Sequence, residues 1–492
     1  MEKEKQVWIE ETLDPANWDE MRALAHRMLD DALDTMRNVR EGPVWQPIPG
    51  EVKASLRQPL PRQPMQTEEV YREFTETILP FPMGNIHPRF WGWVIGTGTP
   101  TGVMAEMLAA TLNPNVGGAE HVASYVEAQV LDWCKEMVGY PLEASGVLVS
   151  GGSVANLIGL VVARNVKAGY DVRRDGMRAA PQPMTIYASK EVHSSAQKNV
   201  ELMGMGSEAL RVIPVDEQYR IDIQVLRDTI HADRQAGMQP ICVIGCAGTV
   251  NTGAFDDLTA LADLCQHEGL WFHVDGAFGA LAALAPDLKP MLAGMERADS
   301  LAFDMHKWMS MPYDIGCALV RDREAHRRAF SLTPEYLVHS TRGLASGDLW
   351  FSDYSLELSR GFRALKAWMT LKEYGVEKFG RIIQQNVDQA RYLADLVEED
   401  PALELLAPVP LNTVCFRYRV EGMDEDETNR LNEELLIRLF ETGVAAPSYT
   451  TLNGHYALRV CNVNHRSRRE DFDLLVAEVK RIGEELRRES FV

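Results

Sequence analysis

The stretch Ala298-Asp-Ser-Leu-Ala-Phe-Asp-Met-His-Lys-Trp308 decides how this chain is read. Ser300-Leu301-Ala302-Phe303 is an apolar, strand-like run that delivers His306 and Lys307 at its end, with Trp308 directly behind. Lysine is ordinarily a solvated surface charge, so one framed by His and Trp in apolar surroundings asks for a chemical reason. Desolvation lowers an amine's pKa and prepares it to form a Schiff base. A second apolar run, Leu270-Trp-Phe-His-Val-Asp275, ends in an aspartate followed by Gly276-Ala277-Phe278-Gly279. Asp275 and Lys307 lie 32 residues apart, which allows one intervening segment between neighbouring strands, so both can reach one bound group. Each also has a plainer reading, the lysine as a surface charge and the aspartate as a helix cap.

A third stretch weighs against the plain readings. Ser150-Gly-Gly-Ser-Val-Ala-Asn156 follows the apolar run Gly146-Val-Leu-Val and opens a helical pattern. Its glycines let backbone approach an anion, the helix start supplies free N–H groups, and Ser153 adds a hydroxyl. By itself such a turn serves equally well as a strand-to-helix cap, and it lacks the lysine of a nucleotide loop. A Schiff-base amine, a carboxylate for a pyridinium nitrogen and a phosphate loop are together what pyridoxal 5'-phosphate requires. Small Gly276 and Ala277 leave room for a flat ring. His193, in Tyr187-Ala-Ser-Lys-Glu-Val-His-Ser-Ser195, could stack on the ring's other face, although a lone histidine is more often structural. His273 and His306 could each do no more than orient the neighbouring Asp or Lys.

The 492 residues suggest two or three domains. A hydrophobic content of 46% with 25% charged residues is that of an ordinary globular protein. A net charge of −21 would repel a phosphate backbone, which argues against nucleic-acid binding. The seven cysteines are scattered and show no metal spacing, so buried free thiols in a reducing cytoplasm are expected, with no metal. The charged N-terminus leads into no apolar signal core, and no apolar run is long enough to span a bilayer.

Met21 to Leu33 carries one helical apolar stripe that must be covered by the parent domain or by a second subunit. Residues 43–65 hold six prolines and read as an extended arm, with another helix over 67–78. From about residue 100, helical stretches alternate with short apolar runs, the pattern of a mostly parallel sheet covered on both faces. Active residues of such sheets lie beyond the carboxyl ends of strands, where Ser150, Asp275 and Lys307 all fall. A helix is expected over Ser359–Tyr374, followed by strands near 412–418 and 455–461 with flanking helices. The chain thus divides into an N-terminal helical and extended arm (1–95), a large α/β domain (96–384) and a small C-terminal α+β domain (385–492).

These motifs, with His87-Pro88 before them and Asn464-His465-Arg466 after, are ordered as in the group II pyridoxal-phosphate-dependent decarboxylases. The chain resembles that family, of which the aromatic-L-amino-acid decarboxylases are the best-known members. The resemblance implies an α/β fold of the fold type I class and a homodimer with active sites at the subunit interface. It carries Lys307 over as the Schiff-base lysine, Asp275 as the pyridinium partner and His193 as the stacking residue. Gly152 and Ser153 would contact the phosphate, Ala277 would pack behind the ring, and Thr249 and His306 complete the cofactor set. Tyr336, in Pro334-Glu-Tyr-Leu337, would protonate the substrate α-carbon from a mobile loop. Trp91, Trp93 and Ser359 would line the substrate pocket, with the two tryptophans equally able to fill the core, and Gly96-Thr-Gly-Thr99 would leave room for a large side chain.

Two departures stand out: Asp304 replaces an Asn common near the phosphate, and Val250 replaces the second Thr of Gly-Thr-Thr. The expected reaction is decarboxylation of an L-amino acid, of the tryptophan or tyrosine type, to the amine and CO2. The alternatives are a family decarboxylase for histidine, glutamate or aspartate, an aldehyde synthase, or an aminotransferase with Arg459 as carboxylate clamp. A non-enzymatic cofactor-binding regulator is the reading from another class.

Overall fold

Every apolar run singled out above forms a strand. In the computed structural model, which describes residues 11–332 and 341–490, the strands of the main sheet are β2 (Ser145–Val149), β3 (Met184–Ser189), β4 (Leu210–Ile213), β5 (Gln239–Cys246), β6 (Trp271–Asp275), β7 (Ser300–Asp304) and β8 (Gly316–Val320), with β1 (Phe90–Trp91) lying elsewhere. Their order across the sheet is β2-β8-β7-β6-β5-β3-β4. The pairs β3–β4, β3–β5, β5–β6 and β6–β7 are parallel, whereas β8 runs antiparallel to both β2 and β7. Residues of β2, β3, β6, β7 and β8 are buried throughout, as strands covered on both faces must be. The fold is α/β, as expected.

A second sheet of five strands, β1-β11-β12-β10-β9, contains β9 (Leu403–Leu405), β10 (Thr413–Tyr418), β11 (Ala446–Leu452) and β12 (His455–Cys461). It is antiparallel except at its edge, where Phe90 and Trp91 pair in parallel with Ala446 and Pro447. Its core includes Trp91, Phe416, Tyr418 and Phe472. The helix Val376–Glu398 leads into this region without a break at residue 385. The helix expected from Ser359 begins only at Ala364. Just before it, Arg360 turns inward, pairs with the equally buried Glu127 and donates to the carbonyls of Val116 and Leu148.

Two compact units emerge, one of residues 1–42 and 47–82, the other of 43–46 and 83–492. In the first, the helix Trp18–Arg37 is capped by Asn17, whose side chain accepts from the N–H groups of Asp19 and Glu20. Tyr71 of the helix Thr67–Glu73 donates to Asp31 at 2.6 Å. Residues 50–55, expected to be extended, form a short helix. Among the described residues no helix is long and apolar enough to cross a membrane. All seven cysteines are free and buried.

Candidate active site

Parallel strands end on the same side of a sheet, and five of them deliver side chains into one cavity of about 460 Å3. Beyond β2 come Gly152 and Ser153; beyond β3, Glu191 and His193; beyond β5, Thr249 and Val250; from β6, Asp275 and then Ala277; from β7, Asp304, His306 and Lys307. All of the expected cofactor residues line this space, with Trp93, Phe278 and Tyr313 beside them. A larger recess of about 870 Å3 around Arg173 and Arg328 holds none of these strand-end residues.

Lys307 does not carry the low pKa expected of a desolvated amine. Burial pulls it down, but Asp304 at 2.9 Å and the charge of Asp275 outweigh burial and leave it above the ordinary lysine value. Asp275 is pushed up, first by burial, and is eased back by Lys307 and by the Ala277 N–H that donates to it at 3.1 Å. A buried carboxylate facing a cavity is a partner in waiting for a cationic group.

The histidines divide by role. His193 lines the cavity, and its Nδ1 accepts from the Ser195 N–H at 3.2 Å, which leaves the proton of a neutral ring on Nε2. His306 also lines the cavity, but its Nδ1 accepts from the Ile315 N–H at 3.1 Å and pins the turn that carries Lys307. His273 is buried between Asn156 Oδ1 and Ser300 Oγ, each at 2.8 Å, and burial lowers its pKa to about 3. It therefore stays neutral and fastens β6 to β7 and to the helix Gly152–Lys167. Thr249 turns its hydroxyl to Thr252 and to the Ala254 N–H, holding its own loop in shape.

Three pocket expectations are corrected. Trp91 is 1% exposed, stacks on Phe472 and donates to Ser467 at 3.0 Å, so it belongs to the core of the second sheet. Trp93, two residues on, is 55% exposed and lines the cavity. Ser359 is exposed and is not among the residues lining the cavity. Of the Gly96–Thr99 stretch, Gly96 leaves no room for a substrate, because a Cβ there would meet the carbonyl oxygens of His306 at 2.0 Å and Lys307 at 2.6 Å, whereas a Cβ on Gly98 would meet nothing within 4 Å. The missing side chain of Gly96 lets the 93–98 segment lie against the lysine turn. Tyr336 lies outside the described residues.

Sequence reasoning missed Glu191, Asn251 and Tyr313. Glu191 lines the cavity and accepts from Asn251 at 2.9 Å, and Thr450 of β11 donates to the same Asn251 side chain. The available signal was a glutamate two residues from His193 at the end of an apolar strand. The Tyr313 ring lies 4.3 Å from that of His306.

A family model described as the pyridoxal-dependent decarboxylase conserved domain matches residues 49–419. The chain belongs to the pyridoxal-dependent decarboxylase family. An aromatic-L-amino-acid decarboxylase of Bacillus atrophaeus is 33% identical over 472 residues, covering 95% of this chain and 96% of that protein. A phenylacetaldehyde synthase of Petunia hybrida is 29% identical over 466 residues, covering 91% of this chain and 90% of that one. The crystal structure of Oryza sativa TDC with PLP and tryptamine superposes with a TM-score of 0.89 at 28% identity, covering 96% of this chain and 100% of that chain.

As a pyridoxal-dependent decarboxylase the chain is a carboxy-lyase that uses pyridoxal phosphate, and its fold is fold type I. The cavity fits that cofactor. The helix Gly152–Lys167 starts without a side-chain cap, a buried carboxylate stands at β6, and a lysine stands at β7. Among the described residues no group of three or more His, Cys, Asp or Glu is arranged to hold a metal ion.

Proposed function

We propose that this decarboxylase acts on an aromatic L-amino acid, of the tryptophan or tyrosine type, releasing the amine and CO2. The observation that carries the reading is the single cavity shared by Lys307, Asp275, His193 and the aromatic side chains of Trp93, Phe278 and Tyr313. Its described lining contains Glu191, Asp275 and Asp304 but no arginine, which disfavours substrates with an acidic side chain. The similarity to aromatic-amino-acid decarboxylases points the same way.

When bound, pyridoxal phosphate supplies the electron sink for the bond between the α-carbon and its carboxylate. The chain's own residues place the reactants and handle protons. Gly152 and Ser153 would hold the phosphate, Ala277 and His193 would flank the ring, and Asp275 would keep a proton at the ring nitrogen. Lys307 would hold the cofactor covalently, with His306 and Thr249 keeping its turn and the facing loop in register. Trp93 would wall the aromatic substrate, and Tyr336 would deliver a proton to its α-carbon.

An aminotransferase role for Arg459 is disfavoured, because its guanidinium already donates to the carbonyls of Trp93, Val250 and Asn251 and to Ser448. A cytoplasmic homodimer with an arm (1–95), a large domain (96–384) and a small domain (385–492) remains part of the proposal. The small domain is supported by β9 to β12, which all come from residues 403–461, although β1 of the arm joins the same sheet and the helix Val376–Glu398 crosses residue 385. Exposed apolar side chains such as Met107, Leu108 and Leu112 also suit burial by a second subunit.

Incubating the holoenzyme with tryptophan, tyrosine, histidine and glutamate, and measuring CO2 and amine, tests the substrate class. Turnover confined to the last two would refute it. Tyr336→Phe should divert product from amine toward aldehyde, ammonia and peroxide, because an unprotonated α-carbon becomes open to oxygen. Unchanged amine output would assign the proton to another group.

A further inference from the structure

The side chain of Asp304 occupies a slot made of glycines. A Cβ on Gly152, the first residue of the helix Gly152–Lys167, would lie 2.9 Å from Asp304 Oδ2. One on Gly316 would lie 2.8 Å from Oδ1. The Asp304 side chain is 2% exposed, with Oδ2 at 2.9 Å from Lys307 Nζ and 3.7 Å from His306 Nε2. Oδ1 is buried and has no hydrogen-bond partner among the described residues. A buried carboxylate oxygen is rarely left unsatisfied, and this one lies beside an uncapped helix start suited to an anion.

We propose that Asp304 is a built-in competitor for the cofactor phosphate. It occupies the anion end of the cavity and keeps Lys307 as its ammonium partner until the phosphate arrives, and loading takes up one proton so that both anions can share the cradle. The inference rests on the reading that Gly152 and Ser153 receive the phosphate. Two full negative charges side by side in a buried site repel strongly, and one proton from solvent turns the contact into an O–H···O hydrogen bond. An asparagine would donate from its amide with no proton taken up, whereas aspartate makes binding of the phosphate depend on pH.

The charged and titratable groups facing Asp304 are Lys307 and His306 from its own turn, Asp275 from β6, and Tyr313 from the segment before β8, with Asp314 facing His306. The start of the helix Gly152–Lys167 adds no ionisable side chain.

The test uses the full chain freed of cofactor and deoxypyridoxine 5'-phosphate, which has the ring and phosphate but no aldehyde to react with Lys307. Calorimetric titration at pH 8, in buffers of different ionisation heat, should show one more proton taken up with this probe than with phosphate-free deoxypyridoxine. Asp304→Asn should abolish that proton, and should bind the phosphorylated probe at least about 10-fold more tightly at pH 8. The two forms should bind the phosphate-free probe alike.

Equal proton uptake by wild type with both probes overturns the proposal, even if the Asn variant fails to fold. So does an unchanged affinity in a folded Asp304→Asn protein. Ser153→Ala separates the two levels of the argument. If it weakens only the phosphorylated probe while Asp304→Asn changes nothing, the phosphate site stands and the competitor falls. If neither variant affects the phosphorylated probe, both fall.

Discussion

Lys307 and Arg459 are cations set at the ends of, or within, apolar runs, and they mark two regions of opposite character. Arg459 of β12 has carbonyls and a hydroxyl around its guanidinium, tying the 93 and 250–251 segments to the second sheet. Lys307 has a single carboxylate at 2.9 Å and otherwise faces a cavity. The Arg459 guanidinium has its donors met by fixed protein acceptors, which rigidifies the segments it joins. The carboxyl end of the main sheet leaves Asp275, Asp304 and Lys307 turned toward open space, and that residual chemistry is available to a ligand. A buried charge therefore marks function where its partners run out, and structure where they do not.

Lys307→Ala probes the open region hardest. Covalent cofactor attachment, read as the visible absorption band of the purified protein, should vanish, and turnover should fall by several orders of magnitude. Full absorbance and turnover would make Lys307 a surface charge after all. Asp275→Asn should keep the cofactor attached but slow single-turnover decarboxylation by ~100-fold or more, since ~1.4 kcal/mol is lost per tenfold. A change within about tenfold would reduce Asp275 to a cap.

The two tryptophans sharpen the contrast through stability. Trp91→Ala should cost ~3–5 kcal/mol in chemical denaturation, as expected for a fully buried ring in a packed core. Trp93→Ala should cost less than ~1 kcal/mol, as for other exposed positions, while raising KM for aromatic substrates. Reversed effects would exchange their assignments.

A pH slope tests the buried histidines. Burial lowers the pKa of His273, and of His326 in the helix Arg323–Phe330, to about 3, and that of His465 to about 4. Each folded-state value lies below the unfolded value near 6.5, so the unfolded chain binds protons first as pH falls. The stability these neutral rings allow is fully present above about pH 6.5 and is lost on acidification, at ~1.4 kcal/mol per pH unit for each. Denaturant midpoints measured between pH 7 and pH 5 should fall accordingly, and His326→Gln should make the slope shallower by one proton. An unchanged midpoint would show that these rings are not buried neutral.

The expected residues that line the cavity were legible because each sits at the end of a strand whose apolar run is itself visible. Local pattern gives the strand, and a parallel sheet then brings its ends together. Strand β8 was not legible, since its antiparallel direction follows from a short return that no periodicity records. The pocket wall was not legible either. Trp91 and Trp93 would share a face if the strand continued, because side chains alternate with a period of two. The strand ends at Trp91, and Trp93 adopts φ +51°, which turns its side chain out of that register.

By itself, then, the amino-acid order determined the strands that end at the cavity, the candidates Lys307, Asp275 and His193, and the α/β class. Tertiary structure decided which tryptophan meets the cavity, why Gly96 must be small, and which way the Lys307 pKa moves. The reason is physical. Identity and strand character are local, whereas electrostatics and burial depend on through-space neighbours. Only the turn after β7 brings Asp304 back to within 2.9 Å of Lys307, where its carboxylate, together with the charge of Asp275, outweighs the burial that sequence alone suggested.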